Sequence, residues 1–101
     1  ALPSDERVVV DGNLVCAAGV TAGIDGALLV AAMLRGEEAA KAIQLYMQYV
    51  PEPPFNAGSP KTAPPEIVES VRASAQDLMI RREATAHRVG KRLGFALPSK
   101  A

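Results

Sequence analysis

The sequence predicts an α/β fold, and one that is incomplete on its own: a β-hairpin followed by helices that belongs inside a larger α/β sandwich. Three observations carry this. Val8-Val9-Val10 and Leu14 to Ala18 are short apolar runs separated by a turn signal, and unbroken apolar strands are normally covered on both faces. The next segment, from about Ala22 to Arg35, reads as a helix with almost no polar face, the pattern of an element buried all round. No other convincing strand follows, and a lone two-stranded hairpin is marginal in water. The chain is therefore expected to be the C-terminal half of a domain. It starts without methionine, which fits a chain that begins at a cut.

The elements follow in order. Residues 1–6 read as a linker and 7–50 as strand, strand, helix, helix. Asp11-Gly12 between apolar runs is a hairpin signal, since central turn residues with positive φ favour such pairs. Gly19 to Gly23 is expected to bend, with Thr21 as N-cap of the first helix. Asp25 then falls in its first turn and Arg35 in its last, each matched to the helix dipole. Gly36 is a natural stop. A second helix over about Glu37 to Tyr49 places Ala39, Ile43, Met47 and Val50 on one face, and Pro51 ends it.

Residues 51–65 contain six of the eight prolines and read as a stiff, extended surface arm with Phe55 as its large apolar anchor. Residues 66–101 hold a last helix and a tail. That helix starts near Pro64 or Pro65 and runs to about Leu93, on the order of 40 Å at 1.5 Å per residue. Its acidic start (Glu66, Glu69) and basic end (Arg81, Arg82, Arg88, Lys91, Arg92) suit the dipole.

Bulk properties exclude several classes. With 49% hydrophobic residues the chain is not generally disordered. A formal net charge of +0 gives no global attraction to nucleic acid or an anionic membrane. One cysteine cannot form an internal disulfide, so a reducing, cytoplasmic setting is expected. No apolar run reaches the roughly 18 residues of a membrane span. No metal-ligand spacing and no phosphate-cradling glycine loop is present.

Among candidate residues, Cys16 before Ala17-Ala18-Gly19 loosely imitates a nucleophile elbow. It lies within a strand run, however, and free cysteine is among the most buried residue types, so core packing is expected. Asp25 is read first as structural and second as tuning a pocket. His87, among arginines and lysines, is expected to be solvated, as is the basic helix end.

Several stretches together resemble the C-terminal half of the ThiJ/PfpI superfamily, the class I glutamine-amidotransferase-like proteins, and within it the isonitrile (isocyanide) hydratase group. They are Arg7 to Val15 (Arg-Val-Val-Val-Asp-Gly-Asn-Leu-Val), Ala18 to Asp25 (Ala-Gly-Val-Thr-Ala-Gly-Ile-Asp), Arg35 to Glu38, Ala42 to Leu45, Tyr49 to Phe55, Gly58 to Pro60 and Thr62 to Pro64. The resemblance implies a flavodoxin-like fold, usually dimeric, and hydration of an isonitrile to an N-substituted formamide without metal or organic cofactor. It places the nucleophilic cysteine and its partner acid upstream, so this chain supplies no catalytic residue. It makes Gly19, Val20, Thr21, Gly23 and Ile24 the candidate pocket lining, with Asp25 tuning it. The expected partners are the N-terminal half, on the same or a separate polypeptide, a second copy of the complete protein, and a small-molecule substrate. Two other readings stand beside this one: a non-enzymatic sensor of the same superfamily, and a small protein-interaction domain using the proline arm.

Overall fold

The computed structural model describes residues 2–95, in two units that meet between Glu52 and Pro53. Ala1 and the tail expected at 96–101 lie outside the described residues.

The first unit holds β1 (Val8–Asp11), β2 (Leu14–Ala17), α1 (Val20–Arg35) and α2 (Glu37–Met47). The strands pair antiparallel, Val8 opposite Ala17, Val9 opposite Cys16, Val10 opposite Val15 and Asp11 opposite Leu14. The loop is therefore Gly12-Asn13. Asp11, expected inside the turn, ends β1. Only Gly12 has a positive φ, 60°, the pattern of a II′ turn with glycine in its first central position.

Side chains alternate across a strand, so Val8 and Ala17 share a face. That face packs on α1, where Gly26 is buried: a Cβ on Gly26 would sit 3.6 Å from the Ala17 Cβ and 3.9 Å from a Val8 methyl. Cys16 falls on the opposite face and is exposed. Helix α1 covers only one face of the hairpin, so the core packing expected for Cys16 calls for cover from outside the described residues.

Helix α1 begins two residues earlier than expected. Gly19, in extended conformation, is its N-cap residue and makes no side-chain cap. Thr21 consequently lies inside the first turn and does not cap, and Asp25 falls in the second turn, so neither assignment from the sequence holds. Gly36, with φ 92°, forms the corner into α2 and donates its N–H to the Ala32 carbonyl at 2.8 Å. Ala22 and Ala40 are the buried apolar side chains among the described residues, and α1 packs against α2 and both strands.

Helix α2 ends before Pro51 by its own geometry. Gln48 adopts the left-handed conformation, φ 52°. Its N–H donates to the Leu45 carbonyl at 3.0 Å and that of Tyr49 to the Gln44 carbonyl at 3.1 Å, the paired bonds of a Schellman ending.

Large apolar side chains of this unit stay bare: Leu34, Leu45 and Tyr46 are 74%, 78% and 92% exposed. Two alanines do not make the core of an α/β domain, whose large aliphatic and aromatic residues are the ones normally enclosed. The described residues thus form part of an α/β fold, as expected.

In the second unit, Ser59 organises a turn. Its carbonyl accepts from the N–H groups of Thr62 and Ala63 at 3.0 and 2.8 Å, and its Oγ from that of Lys61 at 3.2 Å. The arm is therefore not extended throughout, and Phe55, expected as its anchor, is exposed. Helix α3 (Pro65–Arg92) has proline in its first turn and Lys91 and Arg92 in its last. Gly94, with φ 77°, closes it: Phe95 N–H donates to Gly90 O at 2.8 Å and Gly94 N–H to Lys91 O at 3.2 Å.

Candidate functional site

The polar chemistry of the first unit gathers where β1, α1 and the end of α2 meet. Asp25 projects from an otherwise apolar stretch of α1, and its carboxylate is satisfied on both oxygens. Oδ2 accepts from Arg7 Nε, just ahead of β1. Oδ1 accepts from the Tyr49 hydroxyl at 2.6 Å. The left-handed turn at Gln48 aims the chain so that Tyr49 reaches back to α1, and Gln44 Nε2 adds a bond to the Tyr49 carbonyl at 3.2 Å.

Arg7 makes a second contact, donating from Nη2 to Thr21 Oγ1 at 3.1 Å. Thr21 and Asp25 are four residues apart and so lie on one face of α1, where one planar guanidinium bridges them. The Arg7 main chain joins in: its carbonyl accepts from Ala18 N–H at 2.9 Å, extending the hairpin ladder to the residue before Gly19.

The charges reinforce one another. The Tyr49 hydroxyl, and then Arg7, hold the Asp25 carboxyl below its ordinary value. The same carboxylate pushes the Tyr49 phenol up and holds Arg7 more firmly protonated. Charge-assisted bonds of this kind prefer the ionised acceptor and the protonated donor.

The candidate pocket residues occupy one short stretch. Gly19 and Gly23 have open space where a Cβ would stand, Val20 is 94% exposed, and Ile24 is half-buried. Of these, Thr21 joins the Arg7–Asp25–Tyr49 network and the others do not. Sequence reasoning missed Arg7 and Tyr49. The signal that points to them is Asp25 itself, since a carboxylate among apolar residues calls for a cation or donor nearby.

Cys16 stands apart, on the outer face of the hairpin. There it borders an open hollow of about 720 Å³ with Val9, Leu14, Leu2 and Pro3. His87 lies on α3, 3.8 Å from Glu83. Among the described residues no group of three or more His, Cys, Asp or Glu side chains is placed to hold a metal ion, and no helix is long and apolar enough to cross a membrane.

No family model matches the chain. An isonitrile hydratase of Pseudomonas putida is 46% identical over 92 residues, covering 90% of this chain and 40% of that protein. The crystal structure of a ThiJ/PfpI family protein from Pseudomonas syringae matches with a TM-score of 0.80 and 42% identity, over 85% of this chain and 36% of that one. The chain thus spans less than half the length of either relative.

Proposed function

We propose, for a chain that belongs to the ThiJ/PfpI superfamily as a C-terminal part of its flavodoxin-like fold, that it completes an enzyme hydrating an isonitrile to an N-substituted formamide. The observation that carries this is the 46% identity to an isonitrile hydratase, sustained over 90% of the chain. The bare apolar surfaces of β1, β2, α1 and α2 support it, because they fit an N-terminal half that supplies the rest of the sheet. A second copy of the complete protein is the other partner this reading calls for.

In this reading an upstream thiolate attacks the isonitrile carbon, forming a carbon–sulfur bond, and an acid protonates that carbon to leave a thioimidate. Water adds to the same carbon and one of its protons passes to the nitrogen; the remaining hydroxyl proton then returns to the acid as the carbon–sulfur bond breaks, freeing the thiolate and the formamide. The chain contributes Gly19, Val20, Thr21, Gly23 and Ile24 as pocket wall, with Asp25 behind it. Cys16 is not the nucleophile, since it lies on the hairpin face away from α1 and its N-terminal turn.

The test is formamide formation by the full-length protein given a simple alkyl isonitrile, followed by proton NMR. Turnover that survives Cys16→Ala supports the assignment. Binding without turnover would move the protein to the sensor class, and total loss of turnover in Cys16→Ala would make Cys16 the nucleophile after all.

A further inference from the structure

We infer that Arg7 is a positioning residue for the substrate pocket, acting through Thr21; this rests on the pocket reading above. Arg7 holds the start of α1 at three points: its carbonyl takes the Ala18 N–H, its Nη2 reaches Thr21, and its Nε reaches Asp25. Asp25 is anchored in turn by Tyr49, so the guanidinium cannot swing away without breaking a charge-assisted bond.

The consequence for Thr21 is chemical. A hydroxyl has one proton to donate and lone pairs to accept with. Arg7 can only donate, so it occupies a Thr21 lone pair and leaves the hydroxyl proton for an outside acceptor. Thr21 itself is exposed. Thr21 is thereby presented as an oriented donor to a small molecule carrying a compact acceptor, such as the carbonyl oxygen of an N-substituted formamide.

The experiment uses the full-length protein with Arg7→Gln, Thr21→Val, Thr21→Ser and the Arg7→Gln/Thr21→Val double variant. Formamide production and the affinity for N-methylformamide are measured beside melting temperature. Each of Arg7→Gln and Thr21→Val should weaken formamide binding and kcat/KM by roughly three- to tenfold, the worth of one hydrogen bond. The double variant should be no worse than Thr21→Val alone, because Arg7 acts through the hydroxyl that Thr21→Val already removes. Thr21→Ser should restore wild-type values. Independent, multiplicative losses, or an Arg7→Gln that melts earlier with kinetics and affinity unchanged, overturn the inference and leave the enzyme reading intact. A wild-type protein that neither produces nor binds the formamide overturns the pocket reading, and this inference with it.

Discussion

The hydroxyl of Tyr49 lies 2.6 Å from Oδ1 of Asp25, joining the residue just past α2 to the second turn of α1. With Arg7 on the other carboxylate oxygen, three chain segments converge on one side chain. Gly36 makes the corner where α2 leaves α1, and this polar clasp ties the chain beyond α2 back to α1.

The clasp has a pH signature. Asp25 titrates lower in the folded state than its ordinary 3.8, so its contribution is full above that value and is lost as pH falls through the folded value. Tyr49 titrates higher than its ordinary 10.0, so its contribution is full below pH 10 and is lost as pH rises through the folded value. Tyr49→Phe should therefore melt earlier than wild type across the neutral range, with the gap closing at both extremes. Melting curves of the full-length pair from pH 3 to 11 check this, and a gap that ignores pH would show that the hydroxyl bond is not its source.

Gln48 is a non-glycine residue at φ 52°, where a Cβ crowds the following carbonyl at a cost of roughly 1 kcal/mol. Gln48→Gly should relieve that and stabilise the protein by up to about 1 kcal/mol, less what the freer unfolded chain takes back. Chemical denaturation measures it. A destabilised variant would mean that the Gln48 side chain holds something its backbone conformation does not reveal.

Gly26 tests the seat of α1 on the hairpin. The space beyond it admits one methyl at ordinary contact distance, 3.6 Å from Ala17. Gly26→Ala should be neutral or stabilising by about 0.5–1 kcal/mol through helix propensity. Gly26→Leu should force helix and hairpin apart and destabilise by about 1–3 kcal/mol. The two variants, unfolded in urea, separate packing from propensity.

The local features were legible because their causes are local. A β-branched run, a glycine turn and Gly36 each act within a few residues, so the hairpin, the junction between α1 and α2 and the long α3 could be read directly. The helix start was misplaced because Thr21 looks like a cap, whereas the chain is already helical at Val20 and Arg7 takes the hydroxyl instead. The clasp was not legible, because its partners lie 18 and 24 residues apart and no short pattern joins them. Cys16 was expected in a core by its residue type, and strand alternation from Ala17 puts it on the face away from α1, where it is exposed among the described residues.

Gly23 separates a structural from a functional role for the α1 start. In an α-helix, glycine costs roughly 1 kcal/mol relative to alanine, and nothing lies within 4 Å of the position a Cβ would take. On stability alone, Gly23→Ala should raise the full-length protein's stability by about 0.5–1 kcal/mol. If Gly23 lines the pocket, the same methyl enters the space substrate needs, and KM for the isonitrile should rise severalfold while the protein melts later. Opposite movements of stability and KM are the expected result, read from denaturant titration and initial rates on one preparation. A variant that is more stable and equally active would remove Gly23 from the pocket wall, and a less stable one would show that another part of the full-length protein packs against it.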